Sequence, residues 1–384
     1  MTDKGDRNTL RYTTIFAKRT EATPEYRRGV MTTGSTMRAV RLFEHGDPSV
    51  LQNVEVPIPT VGPADVLVRV RATALNRWDL NYRAGILPKT LPGRPSWPLP
   101  FQLGRDAAGD IVEVGSDVRS WEVGDRVVQL THPACGLCRM CVRGKDNLCI
   151  DTAYPGHQIF GGYAEYIVRP QHQVLRIPEG VDYAVAAATL WSYTTPLNCA
   201  ANRAPIGFGD TVLITGASGG LAIAAAQIAR LHGASVIGTT TKPDRAGELK
   251  AAGYDHIVNS LDLSLPEHVR ELTNGLGVDA AWDCVGGNEF MRLAIASVRL
   301  GGAIAVLAVN GPKVEIPSES LIAGEITITG VRAASRRDQE LCMTMLGQGR
   351  IRPVIDKIYP LKDAVLAHEY LEGRQQIGKV LLAP

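Results

Sequence analysis

Residues 211–222 read TVLITGASGGLA, an apolar β-type run that passes straight into a glycine-rich turn. A strand that ends in such a turn and is followed at once by a helix leaves few folds open. Gly216, Gly219 and Ala222 hold the three small positions of a G-x-x-G-x-x-G/A loop. The first permits a sharp turn, the second lets main-chain amides approach a pyrophosphate, and the third lets the helix expected at 221–232 pack on the sheet. Further apolar runs at 235–239, 256–259, 279–284, 303–307 and 326–329 recur with helical stretches between most of them. Strands that are apolar throughout and separated by helices indicate a parallel sheet covered on both faces. The expected class is α/β, with a doubly wound sheet and a dinucleotide held at the helix N-terminus by Gly216, Ser218, Gly219, Gly220 and Leu221.

The end of the second strand indicates the cofactor. An NAD site places Asp or Glu there to bind the ribose 2′-hydroxyl. This chain has Thr240, Thr241 and Lys242, with Arg245 a turn further on, and the nearest acid, Asp244, falls past the usual position. Hydroxyls and cations suit a 2′-phosphate, so NADPH is expected. The alternative is that Lys242 and Arg245 are ordinary solvated residues. Cys284, Val285, Ala308 and Val309 end later strands, where the nicotinamide half would rest.

Residues 37–170 follow a different rhythm. VLVRVRA (66–72) alternates apolar and polar, as a strand with one wet face does, and 107–114, 126–130 and 163–168 repeat the theme between Gly, Pro and Asp turns. A partly open β-barrel is expected. Within it Cys135, Cys138, Cys141 and Cys149 are spaced C-x2-C-x2-C-x7-C. Four thiolates close a tetrahedral zinc shell and leave no position for substrate, so a structural zinc is expected. Free thiols or disulfides are the alternatives, and disulfides would require an oxidising compartment.

The expected division is a disordered extension over 1–36, a barrel domain over 37–185 with its zinc lobe near 132–152, a nucleotide domain over 186–325, and a return over 326–384 whose last strand rejoins the barrel. Met31 and Met37 are candidate alternative starts. A net charge of +2 without a basic face argues against nucleic acid. No apolar run reaches the ~18–20 residues of a membrane span. The N-terminus lacks a secretory core, and a cytoplasmic location is expected.

Together ALNRWDLNYRAG (74–85), LGRDAAGDIVEVG (103–115), the cysteine lobe, GGYAEY (161–166), TGASGGLA and the terminal GKVLL resemble the medium-chain dehydrogenase/reductase superfamily. The likeness is nearest to its quinone oxidoreductase-like and zinc-type alcohol dehydrogenase-like branch. It implies a GroES-like partly open β-barrel catalytic domain, a Rossmann nucleotide-binding domain and a homodimer. It also sets Thr195 beside the nicotinamide and Lys379 at the cofactor. Zinc alcohol dehydrogenases of the family hold a catalytic metal with a Cys where this chain has Asn76 and a His-Glu pair where it has Arg105-Asp106. Their third ligand lies near Leu190-Trp191-Ser192. None of these side chains reproduces that set, and an arginine repels a cation. Asn76, Asp79 and Arg83 are instead similar to the N-x-x-D-x-x-x-R stretch of zinc-independent quinone reductases.

The expected activity is therefore hydride transfer from NADPH to a conjugated C=C or a polarised C=N or C=O bond of a small molecule, without catalytic zinc. A zinc alcohol dehydrogenase with unusual ligands and a non-catalytic NADPH-binding sensor are the alternatives. Asn76 is a candidate donor to a substrate carbonyl. Asp79 and Arg83, four apart, are expected to pair with each other. Arg105 and Asp106 either line the pocket or form a buried ion pair. Tyr82, Tyr154 and Tyr193 are candidate proton donors, and Trp78, Trp97 and Trp191 a candidate aromatic wall.

Overall fold

The structure is a computed structural model that describes residues 35–86, 99–262, 264–308, 313–333 and 335–384. Six parallel strands lie in the spatial order His256–Asn259, Ser235–Thr240, Thr211–Ile214, Val278–Asp283, Val298–Val306, Thr327–Gly330. In chain order this is 3-2-1-4-5-6, and the direction of winding reverses between the first and fourth strands. Such a reversal opens a crevice beyond their carboxyl ends. The helix Gly220–Leu231 covers one face through Ala222, Ile223, Ala225, Ala226 and Ala229, all buried. Small side chains let it lie close to the sheet, and Trp282 is fully buried within the same core.

Two boundaries differ from expectation. The helical stretch expected after the second strand splits into a tight turn, Pro243–Arg245, and a helix, Ala246–Ala252, because Arg245 adopts φ −94°, ψ 16° between them. The strand expected to start at 303 begins at Val298. Gly301 and Gly302 form a bulge within the strand, where the pairing with Val278–Asp283 shifts register.

The second sheet has the order Ile355–Pro360, Lys379–Ala383, Asp65–Ala74, Asp106–Val114, Arg126–Gln129, Val174–Arg176, with Tyr166–Pro170 also paired to Asp65–Ala74. A hairpin of Thr36–Leu42 and Leu51–Pro57 stands beside it. The first strand thus opens at Thr36, one residue before the expected start of order; residues 1–34 of the expected extension lie outside the described residues. The final strand pairs antiparallel with the barrel, Leu381 opposite Ala74. Just before it, the Gly378 amide donates to Ser218 O at 2.8 Å. Gly378 has φ +98°, and a Cβ there would lie 2.2 Å from Val354 O, so only glycine fits. The chain end therefore links the glycine-rich turn to the barrel. Among the described residues no helix is long and apolar enough to cross a membrane.

Candidate active site

The glycine-rich turn is built to present backbone. Gly216 has φ +69°, and a Cβ on it would meet Val285 Cγ2 at 2.5 Å. Gly219 is the helix N-cap, and no side chain caps the first-turn amides of Gly220 and Leu221. Free amides at a helix N-terminus suit a pyrophosphate. Asp283 Oδ1 accepts from Thr215 Oγ1 at 2.7 Å and from the amides of Val285 and Gly286 at 3.0 and 2.9 Å, tying the first and fourth strands together at the crevice. Burial pushes the Cys284 thiol well above its ordinary range, so it stays protonated. Ala308 follows the fifth strand and donates its amide to Asp283 O at 3.2 Å; Val309 lies outside the described residues.

At the end of the second strand Thr240 is buried and Thr241 exposed. Lys242 Nζ donates to Arg374 O. Arg245 donates through Nη1 to Gln375 O at 3.0 Å and forms an ion pair with Glu248 at 2.8 Å. The return segment thus carries a third cationic residue, Arg374, into this neighbourhood from 132 residues away. No local pattern in the sequence signals it.

Deeper in the crevice, Asn76 caps the short helix Arg77–Arg83 and is 7% exposed. Asn76 Oδ1 accepts from Lys379 Nζ at 2.6 Å, while its Nδ2 donates to Asp106 Oδ2 at 2.9 Å and Ala74 O at 3.3 Å. Both ends of the amide are occupied, so Asn76 positions other groups and has no free donor for a substrate carbonyl. Lys379 Nζ lies 3.8 Å from Asp106 Oδ2, with both side chains buried. Burial lowers the Lys379 pKa against the opposing pull of Asp106, and burial raises that of Asp106. The lysine stem packs on the nucleotide turn, where a Cβ on Gly220 would meet Lys379 Cδ at 2.5 Å. Lys379 thus spans from the turn to Asn76.

Asp79 does not pair with Arg83. Its carboxylate turns back to the helix start and accepts from the amides of Asn76 at 2.8 Å and Gly104 at 3.2 Å. Burial pushes its pKa up to about 6. Arg83 reaches the far side, to Glu372, Gly46 O at 3.2 Å and His368 Nδ1 at 3.4 Å. Arg105 and Asp106 do not form an ion pair either. Asp106 opens the strand Asp106–Val114 and is held by Asn76 and Lys379, while Arg105, in the bend before it, meets His157, Tyr154 and Trp191.

Arg105 is 3% exposed. Its guanidinium carbon lies 4.0 Å from the Trp191 ring centre and 4.5 Å from that of Tyr154. Its Nη2 contacts His157 Nε2 at 3.0 Å, and its Nε has no partner. His132 stacks on Trp191 at 4.9 Å with 8° between planes, and Tyr82 packs on His157 at 3.7 Å and on Trp78 at 5.7 Å. Burial, with Arg105 and Arg332 beside it, keeps His132 neutral. His132 and His157 were missed, since neither belongs to a periodic pattern. Thr195 sits one helical turn beyond Trp191 in Leu190–Asn198, at the same face of that helix. Tyr154 OH accepts from Arg332 Nη2 at 2.8 Å. Tyr193 is a helix residue of the core that donates to Gln227 Oε1 at 2.9 Å, so it does not serve as a loop tyrosine of the cleft. Trp97 lies outside the described residues.

The thiol sulfurs of Cys135, Cys138, Cys141 and Cys149 all lie within 4.8 Å of one another. The separations Cys138–Cys141, Cys135–Cys141 and Cys138–Cys149 are 3.4, 3.9 and 4.0 Å. A tetrahedral site with metal–sulfur bonds of ~2.3 Å requires sulfurs about 3.8 Å apart. The amides of Cys135 and Cys138 donate to Cys149 and Cys135 sulfur at 3.3 Å, as they would to thiolates. The lobe holds Arg332 and Arg336: Asn147 Nδ2 donates to Arg332 O at 2.9 Å, and Asp146 accepts from the Arg336 amide at 2.7 Å.

The alcohol dehydrogenase GroES-like domain family matches residues 62–179, and the zinc-binding dehydrogenase family matches residues 220–346. The chain is similar to a sorbitol dehydrogenase of Halalkalibacterium halodurans, 30% identical over 357 residues that cover 91% of this chain and 99% of the relative. It is equally similar to a quinone oxidoreductase of Pongo abelii, 30% identical over 363 residues covering 92% and 99%. A crystal structure of an NAD-dependent alcohol dehydrogenase superposes with TM-score 0.85 and 34% identity, covering 91% of this chain and all of that one.

Proposed function

This chain belongs to the medium-chain dehydrogenase/reductase superfamily, and within it we propose that it is an NADPH-dependent reductase of conjugated or polarised double bonds that works without a catalytic metal. The observation that carries the reading is the Lys379–Asn76–Asp106 cluster. A catalytic zinc does not fit it. Asp106 is engaged by an ammonium, Asn76 turns its amide nitrogen toward Asp106, and Arg105 adds a second cation. No step is derived through such a metal.

NADPH fits the backbone cradle of Gly216–Leu221, and when bound it supplies a hydride to the β-carbon of an enone or to the carbon of an imine or carbonyl. The chain's own groups polarise the acceptor and deliver the proton. Lys379 Nζ is the proton-bearing group, held in place by Asn76 Oδ1. Burial lowers its pKa and makes it a better acid than a solvated lysine, while Asp106 opposite it pulls the other way, toward the ammonium form. Protonation of the enolate, or of the nitrogen or oxygen left by hydride addition, balances the reaction, and solvent returns the proton to Lys379. Such acid catalysis supplies about 10²–10⁴ in rate.

The preference for NADPH rests on Thr240, Thr241, Lys242 and Arg245 with Arg374 behind them, and on the lack of an acid at the strand end. The four thiols are read as holding one structural zinc, a state that suits the reducing cytoplasm. The exposed edge strand Thr327–Gly330, with Leu300 76% and Ile322 83% exposed nearby, is read as a homodimer contact.

The test is NADPH consumption with 2-cyclohexenone, a benzoquinone and a cyclic imine, before and after dialysis against EDTA. Turnover that survives chelation is expected. Turnover confined to simple alcohols with NADP⁺ and abolished by chelation would overturn the proposal.

A further inference from the structure

Building on the reductase reading, we propose that Arg105 binds an anionic group of the substrate, and that the acceptor is a planar, conjugated carboxylic acid. A guanidinium that is 3% exposed needs a counter-charge, and among the described residues no carboxylate lies within ion-pair distance of it. The nearest acids are committed elsewhere. Asp79 accepts from two backbone amides, and Asp106 is shared by Asn76 and Lys379. His157 supplies only a ring nitrogen to Nη2, and Nε is left unpaired. Burying a cation on these terms is costly unless a ligand completes it.

The geometry also selects the ligand. A guanidinium presents parallel N–H donors that match a carboxylate in two-point contact. Trp191 and Tyr154 lie against its faces at 4.0 and 4.5 Å, which leaves the edge as the direction for an anion. The reductase reading already requires the accepting double bond to be conjugated, and a conjugated acid is planar. Trp191 carries Arg105 on its ring while its backbone amide is a hydrogen-bond partner of Asp106, and it shares its helix face with Thr195. A carboxylate held at Arg105 would therefore set the neighbouring double bond toward the Lys379 side of the crevice.

The test compares 4-oxo-2-pentenoate with its methyl ester on the full-length, NADPH-loaded protein. The ketone activates the double bond in both; the ester adds activation of its own, so the comparison is made on KM, where the lost charge is read, and not on kcat. The wild type should show a KM for the acid ten- to a hundredfold below that of the ester, the range of a charge-assisted hydrogen bond. Arg105→Met should bring the two KM values within about twofold of each other, and Arg105→Lys, which keeps charge without the fork, should fall between. Equal KM values in the wild type would overturn the proposal. If neither compound turns over, binding decides the anion site, and the reductase reading stands or falls separately with the 2-cyclohexenone, benzoquinone and imine assays. Benzoate should then raise the melting temperature of the NADPH-loaded wild type more than benzamide does, and equal shifts would overturn it. Both wild-type comparisons stand even if Arg105→Met does not fold.

Discussion

Lys379 Nζ donates to Asn76 Oδ1 at 2.6 Å, a contact between residues 303 positions apart. It joins the last strand of the chain to the cap of a helix that opens the candidate site. The same lysine packs on the nucleotide turn and faces Asp106 at 3.8 Å. Cofactor binding, barrel closure and the proton-bearing group thus meet in one side chain.

Replacing that side chain separates its roles. Lys379→Met leaves the Asp106 carboxylate buried without its cation and should cost about 3–5 kcal/mol of stability. Adding Asp106→Asn removes the uncompensated charge and should recover most of the loss, while reduction of the double bond stays at least about a hundredfold slow. Urea unfolding and single-turnover rates of both variants check this. A single variant as stable as the wild type would show that the pair is not coupled.

Asp79 sets a pH dependence of known sign. Its pKa is raised from 3.8 to about 6 by burial, so the folded state holds the proton more tightly than the unfolded chain. This favours folding at acid pH, and the advantage is lost as pH rises through the unfolded value toward 6. Between pH 4.5 and 7.5 this group should therefore cost about 2 kcal/mol that Asp79→Asn does not lose. Unfolding free energies of wild type and variant at the two pH values measure it. A difference between them that does not move with pH would place the Asp79 pKa near that of a solvated carboxyl.

What the sequence conveys about this site follows from the range of the forces involved. The six parallel strands were legible because each is apolar over its own length, and the zinc lobe because its ligands fall within fifteen residues. The glycine-rich turn was legible for the same reason. The partners of Asp79 and Arg83 were not. Helical spacing pairs them, yet the fold offers Asp79 two backbone amides and offers Arg83 the distant Glu372. The surroundings of Arg105 come from His132, Tyr154, His157 and Trp191, on separate segments without shared periodicity. The Gly301-Gly302 bulge was hidden because glycine marks turns and bulges alike.

The cysteine lobe should hold one zinc per chain, and removing a ligand should be felt at a distance. Cys138→Ser should lower zinc to below about half an equivalent. The lobe holds Asn147 against Arg332 and Asp146 against Arg336, and Arg332 reaches Tyr154 beside Arg105. Loss of metal should therefore lower the melting temperature by several degrees and raise KM together. Elemental mass spectrometry with calorimetry tests this, and retained zinc with an unchanged melting temperature would exclude Cys138 as a ligand.

Cofactor preference gives the last prediction. Lys242 and Arg245 are occupied by Arg374 O, Gln375 O and Glu248, so they are already oriented at the end of the second strand beside Thr241. A 2′-phosphate would replace the Glu248 carboxylate as the partner of Arg245, a trade of one anion for a more highly charged one. Lys242→Ala with Arg245→Ala should weaken NADPH at least about tenfold while changing NADH by less than about threefold, since each charge-assisted contact contributes roughly 1.5–3 kcal/mol. Glu248→Gln should act in the opposite direction and tighten NADPH, because Arg245 loses its competing partner. Fluorescence titration of both nucleotides against the variants measures each effect. Equal weakening of NADPH and NADH in the double variant would mean that these cations support the fold of the crevice without reading the 2′-position.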